Sequence, residues 1–244
     1  MLADELLSYL IADADHPLAE PLAAWMGESK RFAQFVATYR DKIRKKIRTA
    51  RDAEGLRDLR NELELAFLLA QEPRFAPVYE PAGQGKARGP DFAVTFKGTV
   101  RFNIEVTRMR APARGPQDPG DGAQGAARER ARERLQDIVC GKLRQMQAGA
   151  ANTLVVVMDG QQLEAADLPA AMAQLRLRAE QSDGRVLQRG GFRGPPDFFK
   201  HYQRLSAVAL RSSDGSTLSA PVALWANPQA RHALLATVQR CLGR

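Results

Sequence analysis

The sequence predicts an α/β chain, a mixed central β-sheet flanked by helices, with an N-terminal helical extension. Three observations predict it. Apolar residues recur at helical spacing through residues 1–50, over 54–70 and over 128–147. Between these stretches, the runs 92–96 and 100–107 alternate apolar and polar residues, the period of half-buried strands, and a further strand reads around 75–80. A continuous apolar run, Thr153 to Met158, reads as a strand covered on both faces. The resulting order is helix, three strands, helix, strand, then further strands and a helix, which suits a mixed sheet with helices on both faces. The expected division is an extension over 1–52 and an α/β domain over 53–244.

The extension breaks near Pro17 and Pro21. From Ser29 a longer helix carries Phe32, Phe35, Val36, Tyr39, Ile43 and Ile47 on its apolar face. Lys42, Arg44, Lys45, Lys46, Arg48 and Arg51 occupy its other faces, either as a solvated surface or as a rest for phosphates. The helix over 54–70 has a stripe of Leu56, Leu59, Leu63, Ala66, Phe67 and Ala70. Glu62 falls at the edge of that stripe, a placement that calls for a partner, whereas Glu64 is expected to face water.

A strand near Phe75–Glu80 leads into a basic loop with Lys86 and Arg88, able to touch a nucleic-acid backbone. Its Gly83-Gln84-Gly85-Lys86 is no phosphate-binding P-loop, because Ala87 follows the lysine and a strand follows the loop. The hairpin comes next. Phe92, Val94 and Phe96 share one face of its first strand; Val100, Phe102, Ile104 and Val106 share one face of its second. A three-residue loop, Lys97–Thr99, brings the two faces together and sets Asp91 opposite Glu105. Carboxylates so close repel unless something positive lies between them. A hard divalent cation would serve, magnesium or manganese; otherwise Arg108 neutralises the pair or one carboxylate turns into water.

Residues 111–127, rich in Gly, Pro, Ala and Gln, read as a loop. In the helix over 128–147, Lys142 lies within the buried stripe, four residues after Ile138 and four before Met146, with Gln145 as its i+3 neighbour. Such a lysine either snorkels to water or meets buried anions. A helix over 168–178, a loop through Gly190-Gly191-Phe192 and Pro195-Pro196, strands over 205–211 and 222–226, and a closing helix from Pro228 complete the reading.

Composition narrows the function. With 44% apolar and 26% charged residues the chain is globular rather than disordered. A net charge of +8 favours a polyanionic partner. Cys140 and Cys241 are far apart with no CxxC pair, so both read as reduced, buried thiols of a cytosolic protein. The acidic start lacks a basic n-region, and Thr153–Met158 is too short to span a bilayer; the expected location is the cytoplasm. His16, His201 and His232 are scattered, without HExxH spacing, and His201 reads as packing or surface. GxSxG and GxGxxG are absent.

With Glu62, Pro90-Asp91, Ile104-Glu105-Val106-Thr107 and the following helix in hand, the chain resembles the PD-(D/E)xK nuclease superfamily, with its restriction-endonuclease-like core. The resemblance covers roughly Glu54 to Met158. It is nearest to a bacterial branch whose members read ELEvA, gPDF, fnvEVTR and KlxQ. Here those stretches are Glu62–Ala66, Gly89–Phe92, Phe102–Arg108 and Lys142–Gln145. The resemblance implies a metal-dependent nuclease, acting on DNA ahead of RNA, with Mg2+ or Mn2+ held by Asp91 and Glu105 and a contribution from Glu62. Thr107 stands where the superfamily usually has lysine. Lys142 would replace that lysine from the neighbouring helix, Gln145 would position water or phosphate, and Thr107 would hold a water on the metal. Lys45, Lys46, Lys86, Arg88 and Arg108 would contact nucleic acid. A catalytically degenerate member, binding nucleic acid or a partner protein without cutting, is the alternative that Thr107 favours. A homodimer is compatible with either reading; a membrane is not an expected partner.

Overall fold

The computed structural model describes residues 3–13, 15–82, 89–111, 121–160, 162–214, 217–218 and 220–243. It is an α/β structure whose six-stranded mixed sheet, ordered β1-β2-β3-β4-β5-β6, is flanked by helices. The strands are β1 Phe75–Tyr79, β2 Phe92–Phe96, β3 Val100–Met109, β4 Ala151–Asp159, β5 Leu205–Ser213 and β6 Ala223–Ala226. The helices are α1 Ala3–Leu10, α2 Ala19–Glu28, α3 Lys30–Thr49, α4 Ala53–Gln71, α5 Asp121–Lys142, α6 Asp167–Glu180, α7 Gly184–Arg189, α8 Pro195–Tyr202 and α9 Ala236–Leu242. Among the described residues, no helix is long and apolar enough to cross a membrane.

The chain divides into two compact units, Met1–Tyr79 with Val94–Val100, and Glu80–Ala93 with Arg101–Arg244. The boundary expected at 52/53 falls inside the first unit, between α3 and α4, which pack together. In that unit Ser29 caps α3 by accepting the Phe32 N–H at 3.2 Å, and Asp52 caps α4 by accepting the Gly55 N–H at 2.6 Å. The core is aromatic: Trp25 stacks on Phe67 at 5.8 Å, and Phe32 meets Phe67 edge-on at 5.6 Å. Helix α3 kinks at Tyr39, just after Thr38 turns its hydroxyl back onto the Gln34 carbonyl at 2.8 Å, a bond that bends helices.

The outer edge of β1 is closed from α3. Arg31 donates to the Phe75 carbonyl at 2.6 Å, Lys42 donates to the Tyr79 carbonyl at 3.0 Å, and Pro77 between them has no N–H. Helix α4 is covered almost all round. Glu64, expected in water, is 4% exposed, because residues 63–67 are all buried and no face of that turn is left for solvent. At the β2–β3 turn the Thr99 N–H donates to the Phe96 carbonyl at 3.2 Å, and Lys97 and Gly98 both have positive φ, +49° and +74°. This is the two-residue primed turn rather than the expected three-residue loop, and Gly98 meets its left-handed requirement without strain. The alternation argument misleads here because β3 is buried at four consecutive residues, Phe102 to Glu105.

In the second unit β4 runs parallel to both β3 and β5, with Leu154 beside Val208 and Val156 beside Leu210, and β6 returns antiparallel. Leu154, Val156, Val208 and Leu210 pack with Leu135, Val139, Met172 and Leu175 of α5 and α6 and with Phe198 and Tyr202 of α8 in one core. Burial pushes the Cys140 thiol in this core up to about 12, whereas Cys241, expected to be buried too, is only half-buried. Helix α5 begins at Asp121, inside the stretch expected to be a loop. The segment expected to be a loop around 190–196 gives way to α8, whose paired prolines occupy the first turn, where a missing N–H costs nothing. The closing helix starts only at Ala236.

Asp167, with no exposed side chain, ties α6 to α5. Arg128 reaches both of its oxygens at 2.8 Å, Arg132 reaches Oδ1 at 2.7 Å, and the Glu164 N–H reaches Oδ2 at 2.7 Å. Burial pushes this carboxyl up, but the hydrogen bonds from Arg128, Glu164 and Arg132 outweigh it and hold it below the usual range. A carboxyl lowered by folding adds stability above its unfolded value, near ~3.9, and loses it as pH falls through the folded value. Asp167→Asn is therefore expected to cost about 2 kcal/mol or more at neutral pH in urea unfolding. The gap to the parent should close below about pH 4; a gap that persists there contradicts this account.

Candidate functional site

The site is built in the second unit, where β3 meets the end of α5. On β3, Asn103, Glu105 and Thr107 are spaced by two and share a face, and Glu105 is 7% exposed. Asp91, also 7% exposed, stands immediately before β2 and accepts the Val106 N–H on Oδ2 at 2.8 Å. Its own carbonyl accepts the Glu80 N–H at 2.8 Å. One bond to side chain and one to backbone thus hold Asp91 against the peptide that follows Glu105.

The chain delivers the amine by changing helix type. Helix α5 ends at Lys142 and tightens into a 3₁₀ turn, Leu143–Gln145, with Leu143 and Met146 buried at 0% and 2%. Side chains three apart eclipse in 3₁₀ geometry, so Lys142 and Gln145 fall in line. The Lys142 Nζ lies 3.1 Å from Gln145 Oε1 and 3.5 Å from Glu105 Oε2. Of the two fates the sequence allows that lysine, it meets the anion. Arg144, between them, grips the opposite side: it donates to the Gly190 carbonyl at 2.9 Å, to the Gly191 carbonyl and to Asp197 Oδ2 at 3.0 Å, with its guanidinium 5.1 Å from the centre of the Phe192 ring. Asp197 is held below the usual carboxylate range by the Arg193 N–H, with Arg144 adding to the effect.

Two residues that the sequence left without a role complete the frame. Asn103 donates to Gln147 Oε1 at 3.2 Å and to Asn152 Oδ1 at 3.1 Å, and Asn152 in turn bonds three carbonyls, of Gln147, Ala150 and Arg204. The segment after the 3₁₀ turn is thereby stitched to the same strand face as Glu105. A polar residue two places before an acid on a buried strand was the available signal.

Glu62 belongs to the first unit, where the Lys46 ammonium is 2.5 Å from Oε1. Lys46 is therefore committed to a partly buried ion pair and does not project to a ligand; Lys45 beside it is exposed. Arg108 is turned inward. Its side chain is 2% exposed and bonds Asp159 Oδ2 at 2.9 Å, so it does not face a polyanion in solvent. Lys86 and Arg88 lie outside the described residues. His201 packs against Phe192 at 5.6 Å, with Nδ1 at 2.8 Å from the Asp197 carbonyl.

Among the described residues, no group of three or more His, Cys, Asp or Glu side chains is disposed around one point to hold a metal. Glu62 belongs to the first unit, and the second unit by itself offers two carboxylates, Asp91 and Glu105. That donor set still fits magnesium, which commonly takes one or two carboxylates and completes its shell with water and substrate phosphate. Comparison of the chain with protein-family models, with curated proteins and with solved structures finds no match.

The Lys142–Glu105 contact should behave as a coupled pair, since Glu105 and Lys142 have side chains only 9% and 25% exposed. Lys142→Met is expected to cost about 1–3 kcal/mol by leaving a buried carboxylate without this cation. Adding Glu105→Gln should recover most of that loss, giving a coupling of about 1 kcal/mol or more in a double-mutant unfolding cycle. Additive losses would mean that the two groups do not interact.

Proposed function

We propose that this chain is a metal-dependent nuclease that hydrolyses phosphodiester bonds of nucleic acid, DNA ahead of RNA. The observation that carries the reading is the Lys142 ammonium 3.5 Å from Glu105, beside a strand whose position 107 holds threonine. An amine brought from a neighbouring helix supplies what that strand position lacks. The succession α4, β1, β2, β3, α5, β4 supports a restriction-endonuclease-like core, since it follows the order that the resemblance implies.

Asp91 and Glu105 would hold Mg2+, or Mn2+, through hard oxygen donors. When bound, such an ion polarises a phosphoryl oxygen and makes the attacking water more acidic. The chain's own groups do the rest. Asp91 keeps its orientation through the Val106 N–H, so its geometry is set before substrate arrives. Lys142 sets its positive charge where negative charge grows on the phosphate in the transition state. Gln145, exposed and aligned with Lys142, can turn its amide to orient the nucleophilic water or a phosphate oxygen. Thr107, on the Glu105 face and half-buried, adds a hydroxyl that holds water beside that carboxylate.

A second reading, a fold that binds nucleic acid or a partner protein without cutting, is favoured by the same Thr107. Incubating supercoiled plasmid and single-stranded DNA with the protein in Mg2+ or Mn2+ separates the two. Metal-dependent cleavage is expected, falling about a thousand-fold or more in Asp91→Ala and about a hundredfold or more in Lys142→Met. Salt-sensitive DNA binding with no cleavage in either metal selects the second reading, and neither activity removes both.

A further inference from the structure

Charge is very unevenly spread along this chain. Helix α3 carries eight basic residues and one aspartate, a net +7 against +8 for all 244 residues. Arg31, Lys42 and Lys46 spend their head groups within their own unit, on the Phe75 and Tyr79 carbonyls and the Glu62 carboxylate, although Arg31 and Lys42 remain exposed. Arg40, Lys45 and Arg48 are exposed and Arg44 is half-buried, all in the regular stretch that follows the kink at Tyr39.

Arg40, Arg44 and Arg48 are four residues apart, so they line up along the helix over about 12 Å. Two of them are held in place by α1. The Arg44 and Arg40 guanidiniums lie 4.3 Å and 5.4 Å from the centre of the Tyr9 ring, and the Tyr9 hydroxyl donates to Asp41 Oδ1 at 2.6 Å. Asp41 also lies 3.9 Å from Arg40 Nε. Guanidiniums stacked on a ring keep their N–H groups available at the rim and lose less freedom on meeting an anion. A row about 12 Å long spans about three phosphates of one strand, at ~3.4 Å of axis each.

We propose that the Arg40–Arg44–Arg48 row, ordered by Tyr9, is a binding surface for the phosphate backbone of nucleic acid, insensitive to base sequence. It deepens the reading of nucleic acid as the partner, and does not depend on whether Glu105 and Lys142 cut. Lys45, one residue along from Arg44, adds charge to the same surface.

Binding of a labelled duplex and a labelled single strand, each in unrelated sequences, measured by fluorescence anisotropy in EDTA across a KCl series, tests this. In Arg40→Gln/Arg44→Gln/Arg48→Gln, duplex binding should weaken about a hundredfold near physiological salt. The slope of log affinity against log salt should flatten by about 2.7 on duplex and about 2.1 on single strand. Circular dichroism and thermal melting establish that the variant is folded, and the matching triple lysine variant should keep the slope. Removing the same charge through the exposed Arg176, Arg189 and Arg240 should leave the slope almost unchanged. Equal losses in the two glutamine triples, an unchanged slope in the row variant, or a defect confined to anionic vesicles with DNA binding intact would each overturn the proposal. A protein that never cuts but loses binding with the row upholds this surface and defeats only the nuclease reading.

Discussion

The meeting of Lys142 with Glu105 is the constraint around which the second unit's polar architecture is arranged. A charged strand residue that is nearly buried needs a counter-charge; Thr107 on its face is neutral, and Arg108 bonds Asp159. Lys142 brings one from another element, at the end of a 22-residue helix. Tightening that helix end into a 3₁₀ turn drives Leu143 and Met146 into the core and leaves Lys142 and Gln145 eclipsed beside the strand. Arg144 and Asn103 then hold the turn from two sides. Each contact is modest alone; together they leave the ammonium few alternative positions.

The first unit handles its cations differently. A helix with such an excess of positive charge would repel itself if all of its side chains faced water. Three of the cations are neutralised or hydrogen-bonded inward, and two more are spread over one aromatic ring. What remains is a directional surface rather than a diffuse cloud of charge. This is why the basic residues of α3 cannot be treated as equivalent, and why Lys45 and Lys46, adjacent in sequence, have opposite fates.

Much of this was legible in the sequence where a residue's neighbours along the chain decide its fate. The period-two runs located β2 and β3, the uninterrupted apolar run located β4, and the spacing of Lys142 within an apolar stripe marked it as a lysine that either snorkels to water or meets an anion. Tertiary cover was not legible. Glu64 lies on the expected solvent side of α4, yet that side is covered too, and helical phase alone does not report a second layer. Low-complexity composition made 111–127 read as a loop, whereas alanine and glutamine carry α5 from Asp121 with ease. Arg108 looked like a surface cation because its partner, Asp159, is 51 residues away. Pairings at that range leave no periodic trace.

The sealed margin of β1 limits how this protein can associate. With the Phe75 and Tyr79 carbonyls occupied by α3 side chains, and proline between them, an incoming strand finds no register in which to continue the ladder there. At the other margin β6 offers only four residues, Ala223–Ala226. Edge-to-edge growth of the sheet is thus barred at one end and given little purchase at the other, which keeps the exposed ladder from acting as a template for stray strands.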